Sequence, residues 1–267
     1  MKYPEFVLAI SRDTLQKTGI TQGFNMIDWD YFLQTVQEGI AIRQRQNLDE
    51  AIHWGESYKG NRNYAQWLNY FVVENADNTI NPYMRSRTGT GESDLQGRGS
   101  ICPGGHMDFV DLATNILANG ERGSVIDLGA SVLENVMREA FEEMTFYVKG
   151  LPFPAFANEG TPEERLTATV EDLACLASLH FEGIIFDNGD NVGRLHIGVA
   201  MRLVLRTGVT IDNREDALDF IPAVDVEMLN VAYPDVTFEN WSQIFAKHLG
   251  DNWTVSRNLL ASRVTPN

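Results

Sequence analysis

Cysteine is nearly absent: the 267 residues contain two, Cys102 in SICPGG and Cys175 in LACLAS. Two isolated cysteines exclude a disulfide framework and a CxxC redox or zinc pair. Their apolar settings predict packed thiols in a reducing compartment. No run approaches the roughly 20 apolar residues of a membrane span. The opening MKYPEFVLAISRD, with Glu5 and one short apolar run, lacks the layout of a signal peptide. These absences predict a soluble cytoplasmic protein. Positive charge is scarce as well, with 21 Lys and Arg against 37 Asp and Glu and a formal net charge of −16. Such a field repels nucleic-acid backbones and anionic membranes, so neither DNA nor membrane is an expected partner, whereas divalent cations are attracted. Repeats, low-complexity tracts and a convincing linker are missing too. One domain over residues 1–267 is therefore expected.

Hydrophobic residues make up 43% of the chain, enough for a substantial core. EFVLAIS at 5–11 and WLNYFVVE at 67–74 read as strands. Residues 28–45 read as a helix through Trp29, Phe32, Val36 and Ile40. NPYMRSR resumes extended structure after an Asn- and Asp-rich turn. FVDLATNILAN, within 109–128, reads as helical, and a second helix is predicted from about Ser131 to Tyr147. TATVEDLACLASLHFEGIIF ends in a strand, and RLHIGVAMRLVLR alternates as another. Helices are expected at 214–220, 224–229 and 237–249. Interspersed strands and helices without regular βαβ spacing imply an α/β domain with a mixed sheet.

The stretch MREAFEEMTF, 137–146, carries the clearest chemistry. At about 100° per residue, Leu133, Val136, Met137, Ala140, Met144 and Val148 form an apolar stripe, while Glu139, Glu142 and Glu143 project together from the other side. Like charges at i, i+3 and i+4 destabilise a helix by a few tenths of a kcal/mol each, and only Glu142 has a basic residue four positions away, Arg138. Two explanations stand at this level: a solvated helix face, or an oxygen-ligand cluster for a hard divalent cation.

Upstream lies Pro103-Gly104-Gly105-His106, where paired glycines let backbone approach a ligand closely. Gly104-Gly105, then a seven-residue gap at 131–137, then Arg138-Glu139-x-x-Glu142-Glu143 and Phe146, resembles the Nudix box, the signature of Nudix hydrolases. Three positions depart from it. Ala130 stands where that signature has Glu, Thr145 where it has Gly, and its five-residue gap is expanded to 24 residues, 106–129. NPYMRSRTGTGESDLQGRGSICPGGHMD and FEGIIFDNGDNVGRLHIGVAMRLVL resemble the phosphoesterase-like branch of the family, so that the similarity covers about 65–250.

The resemblance implies a Nudix-type α/β/α sandwich with a mixed β-sheet, an N-terminal extension over about 1–64 and an insertion over about 106–129. It implies a metal-dependent hydrolase cleaving the diphosphate linkage of a nucleoside diphosphate derivative, such as ADP-ribose, a dinucleoside polyphosphate, NADH or an RNA cap. A catalytically weak nucleotide-binding or regulatory module is the alternative that Ala130, Thr145 and the insertion motivate. Under the first reading Glu142 and Glu143 ligate Mg²⁺ or Mn²⁺, Glu139 is a ligand or the base, Arg138 orients the carboxylates, and the Gly104 carbonyl completes the coordination. Arg85, Arg87 and Arg98 are candidates for substrate phosphate, and Asp108, Glu182, Asp190 or Glu215 for a further metal ligand. Trp54, Tyr83 and Phe109 are candidates for base stacking, while His106 and His196 read as hydrogen-bonded structural residues. Many relatives are dimers, so a homodimer is an expected partner state.

Overall fold

The computed structural model describes residues 5–45, 63–86, 95–116, 122–154, 166–189, 191–214, 218–251 and 258–261. In chain order, β1 (Phe6–Ser11) leads through α1 (Arg12–Lys17), β2 (Gly23–Asn25) and α2 (Trp29–Val36) to β3 (Ile40–Gln44) and the long β4 (Tyr64–Glu74). Then come β5 (Tyr83–Arg85), β6 (Gly99–Ser100), β7 (Gly104–His106), β8 (Thr114–Ile116), β9 (Arg122–Ile126) and α3 (Leu128–Glu143). The rest comprises β10 (Met144–Val148), β11 (Leu151–Pro152), α4 (Val170–Leu176), β12 (Ala177–Phe186), α5 (Asn191–Leu195) and β13 (His196–Leu205). It ends with β14 (Val209–Asn213), β15 (Leu218–Phe220), α6 (Leu229–Ala232) and α7 (Asn240–Asp251). The largest sheet orders its strands β2-β12-β13-β4-β1-β3, with β7 also pairing β4. The α/β class expected from the sequence holds. Among the described residues no helix is long and apolar enough to cross a membrane.

The chain divides into two compact units, each assembled from separated segments: 1–69, 105–135 and 183–200 in the first; 70–104, 136–182 and 201–267 in the second. In the first unit, β1 pairs antiparallel with β3 and with β4. Val7, Leu8, Ala9 and Ile10 are fully buried, as are Phe32 and Trp67, whose rings pack 5.6 Å apart. Asp28 caps α2 by accepting from the Tyr31 amide at 2.8 Å. The helix expected to reach Arg45 stops at Val36. Gly39 passes so close to Thr14 that a Cβ there would lie 2.1 Å from its hydroxyl oxygen, and Ile40–Gln44 pairs with β1. A β-branched segment offered an unpaired strand edge takes the strand.

The insertion also differs from expectation. In place of a helix, a single 3₁₀ turn at Phe109–Asp111 is followed by the antiparallel pair β8 and β9. Asp108 and Asp111 close the turn on themselves, the Asp108 amide donating to Asp111 Oδ2 at 2.8 Å, and Thr114, Ile116, Val125 and Ile126 supply the β-branched residues of the hairpin.

In the second unit, β10 pairs with β11 and β14, while β5 lies between β15 and β6. Met144–Val148 was expected to continue α3, yet it leaves the helix at Glu143 and pairs with β14 from Met144↔Asn213 to Val148↔Val209. The helical stripe therefore ends at Ala140 and Phe141, and Val148, 37% exposed, does not join it. Where a helix was expected at 214–220, Leu218–Phe220 is strand β15, with Phe220 opposite Tyr83. A 3₁₀ turn at Val226–Met228 precedes α6 where 224–229 was expected to be helical. Cys102 is buried as expected, but Cys175 is exposed. On α4 the buried positions are Val170, Leu173, Ala174 and Leu176, and helical periodicity turns Cys175 away from them.

Candidate active site

α3 starts with Asp127, whose Oδ1 accepts from the Ala130 amide at 3.0 Å, and Ser131 hydroxyl donating to the Asp127 carbonyl at 2.7 Å. It buries Val132, Val136 and Ala140 completely. That registration leaves Arg138, Glu139, Glu142 and Glu143 on the last turns of one helix. Arg138 Nη2 meets Glu139 Oε1 at 2.8 Å, and Arg138 Nη1 meets Glu142 Oε2 at 2.9 Å. All three side chains are less than one-fifth exposed, so their attraction is screened less than that of a surface pair. One guanidinium thus spans two carboxylates, with Glu143 as a third acid on the same turn. Among the described residues no three His, Cys, Asp or Glu side chains converge as a ready-made metal cluster; Arg138 draws Glu139 and Glu142 to itself.

The glycine pair lies on β7. Gly104 has φ of 146°, a conformation side-chain-bearing residues rarely adopt. The strand before it is tied down by Tyr83, whose hydroxyl donates to the Cys102 carbonyl at 2.8 Å, and by the Phe71 amide, which donates to the Pro103 carbonyl at 3.1 Å. Burial pushes the Tyr83 phenol well above its usual range; Arg85 opposes that rise, and Glu239 and Glu143 add to it. Arg85, Glu239 and Glu143 therefore all act on one phenol.

Arg85, a candidate for phosphate, leaves β5 to meet Glu239 Oε2 through Nε at 3.2 Å, with its guanidinium carbon 5.7 Å from the Tyr83 ring centre. Arg98 is half-buried in a turn, and its carbonyl accepts from the Arg85 amide at 2.9 Å. Arg87, Asp190, Glu215 and Trp54 lie outside the described residues. Tyr83 is 1% exposed and cannot stack a base, whereas Phe109 is 61% exposed. Glu182 is committed elsewhere: Arg202 Nε meets its Oε1 at 2.9 Å and His248 Nε2 lies 4.0 Å from its Oε2. Asp108 caps the 3₁₀ turn of the insertion.

In the first unit, His106 and His196 are hydrogen-bonded as expected, Nε2 to Nε2 at 3.1 Å. Asn135 is a residue sequence reasoning passed over. Fully buried on α3, it donates to the His106 carbonyl and to Asp111 Oδ2, both at 2.8 Å, and accepts from Asn69 at 2.6 Å. It ties the root of the insertion to α3. Glu239 was passed over as well; its only sequence signal is an acidic residue just ahead of α7.

No protein-family model matches the chain, and no curated protein matches its sequence. Solved structures do align with it. Tm1382, assigned to the Nudix hydrolases, shares 18% identity over 92% of this chain and 99% of its own, with a TM-score of 0.61. A bifunctional NMN adenylyltransferase/ADP ribose pyrophosphatase from Francisella tularensis, solved with AMP and a manganese ion, shares 16% identity. That alignment covers 76% of this chain and 45% of the other, at a TM-score of 0.42. A Nudix hydrolase from Alicyclobacillus acidocaldarius shares 13% identity over 70% of this chain and 92% of its own, at a TM-score of 0.43. The Tm1382 alignment, over nearly the full length of both chains, shows that this chain has the Nudix fold.

Proposed function

We propose that the chain is a metal-dependent hydrolase that cleaves the diphosphate linkage of a nucleoside diphosphate derivative. The observation that carries this reading is the crowding of Glu139, Glu142 and Glu143 on the last turns of α3, with one guanidinium shared between two of them. A helix tolerates such crowding at a cost, and an all-oxygen donor set suits a hard cation. The residues fit Mg²⁺ or Mn²⁺: Glu139, Glu142, Glu143 and the Gly104 carbonyl would hold it. When bound, such an ion neutralises charge on a diphosphate and acidifies a coordinated water.

This chain's own residues have separable tasks. Arg138 fixes the carboxylates of Glu139 and Glu142 by charge-assisted hydrogen bonds, which its planar fork suits. Glu139 is a metal ligand or takes the proton of the attacking water. Arg85 binds a substrate phosphate, with Arg87 and Arg98 as further candidates from the same approach. The excess of acid over base elsewhere keeps polyanions such as DNA away, which leaves a small-molecule partner.

The test is a product screen over ADP-ribose, dinucleoside polyphosphates, NADH, nucleotide sugars and capped RNA, with Mg²⁺ or Mn²⁺ supplied. Release of a nucleoside monophosphate from at least one compound is expected. Saturable nucleotide binding without product over hours would replace the hydrolase by a regulatory module.

A further inference from the structure

Glu239 has no part in the reading above, yet both of its carboxylate oxygens are held. It is 4% exposed. Its Oε1 accepts from the Tyr70 hydroxyl at 2.7 Å, from the Ser100 hydroxyl, and from the Ser242 hydroxyl at 3.3 Å. Its Oε2 accepts from Arg85 Nε at 3.2 Å. The backbone is pinned too: the Glu239 amide donates to the Gly99 carbonyl at 2.9 Å, and the Gly99 amide to the Thr237 carbonyl at 3.0 Å. With each oxygen held by different partners, the carboxylate cannot turn.

We infer that Glu239 is a positioning residue that aims the Arg85 guanidinium at a phosphate of the diphosphate substrate, an inference that rests on the hydrolase reading. Three observations support it. Glu239 takes the Nε edge of Arg85, whereas the two terminal nitrogens, with four N–H donors, form the edge that suits a phosphate. The Arg85 side chain is 31% exposed while that of Glu239 is 5% exposed, so the guanidinium is reachable and its support is not. Tyr83, whose ring centre lies 5.7 Å from the Arg85 guanidinium carbon, donates its hydroxyl at 2.8 Å to the carbonyl of Cys102, two residues before the proposed ligand Gly104.

The charge arrangement favours the same role. Glu239 directly precedes α7, and its carbonyl accepts from the Gln243 amide at 3.1 Å. The positive end of a 12-residue helix offsets part of the carboxylate's charge. Arg85 therefore keeps more of its pull on an anion than it would beside an isolated glutamate.

Glu239→Gln separates positioning from packing, because the amide oxygen can still accept from Tyr70 and Ser100 while its NH₂ cannot hold Arg85 Nε. Calorimetry with inorganic pyrophosphate and Mg²⁺ should show binding about tenfold weaker in Glu239→Gln and at least as weak in Arg85→Ala. The double variant should be no weaker than Arg85→Ala alone. On a substrate found by the screen, KM should rise about tenfold with kcat within about twofold. If Glu239→Gln does not fold, Tyr70→Phe, which removes one bond to Glu239, should weaken pyrophosphate binding by about two- to threefold. Unchanged or tighter pyrophosphate binding in the folded variants would overturn the inference, since Glu239 would then be only a countercharge. So would a loss of affinity that persists without Arg85, or wild-type protein that binds no pyrophosphate. Pyrophosphate binding that follows this pattern without turnover of any compound would overturn the hydrolase reading and leave the Arg85 site standing.

Discussion

Arg138 reaches Glu139 at 2.8 Å and Glu142 at 2.9 Å within a single helix, whereas Arg202 reaches Glu74 and Glu182, each at 2.9 Å, from three different strands. Both are one arginine between two glutamates. In the sheet, Arg202 stands on β13, with β12 and β4 as its neighbours in strand order, so its two carboxylates flank it. Glu74 is 2% exposed and Glu182 8%. His248 Nε2 lies 4.0 Å from Glu182 Oε2. On α3 a third carboxylate, Glu143, joins on the next position, and the turn is more open. Each set holds more acid than base; the sheet set buries its acids at 2% and 3% side-chain exposure, whereas the helix set leaves Glu139 and Glu142 at 12% and 19%. The contrast is one of burial, and the metal site proposed above is the set that solvent reaches.

The largest effect is expected at the helix. Glu142→Gln with Glu143→Gln should lower turnover of any accepted substrate by about 10²- to 10⁴-fold, measured as product formation. Its melting temperature should be unchanged or slightly raised, because like-charge crowding is relieved. A large fall in melting temperature would make the two sets alike. Next, Arg202→Met should cost about 3–5 kcal/mol in denaturant unfolding, since it strands two buried carboxylates. Arg138→Met should cost less than Arg202→Met in the same assay, because Glu139 and Glu142 are more exposed than Glu74 and Glu182, while lowering kcat/KM. Comparable stability losses in the two variants would break the distinction.

A smaller effect follows from protonation. Burial raises the Glu74 pKa, and Arg202 only partly opposes it. The folded state then holds that proton more tightly than the unfolded chain does. Glu74 should favour folding most below the unfolded carboxylate pKa of 4.5, and that contribution should decline as pH rises through the raised folded value. Unfolding free energy measured across this window should fall less steeply with pH in Glu74→Gln. An identical pH profile would show that Arg202 compensates the burial fully.

The same contrast explains what was legible in the sequence. Arg138, Glu139, Glu142 and Glu143 lie within six positions, so helical periodicity alone collects them. Glu74, Glu182, Arg202 and His248 come from distant parts of the chain, and no local pattern joins them. Arg85 was readable as a basic residue near the glycine pair, but its partner Glu239 lies 154 positions away. Local pattern also misled where tertiary pairing decided. Met144 and Val148 extend the helical stripe on paper, yet β14 supplies a strand partner and the helix ends at Glu143. FVDLATNILAN has helical spacing, but two aspartates close a turn and β-branched residues form a hairpin. Arg87, Asp190, Glu215 and Trp54 lie outside the described residues and remain candidates.

The most direct test of the metal site proposed on α3 is Mn²⁺ binding, followed by electron paramagnetic resonance in wild type, Glu142→Gln with Glu143→Gln, and Glu74→Gln. Wild type and Glu74→Gln should bind Mn²⁺ alike, and the helix variant should lose at least about tenfold in affinity. Equal Mn²⁺ binding by all three proteins would contradict the assignment of that turn as the metal site.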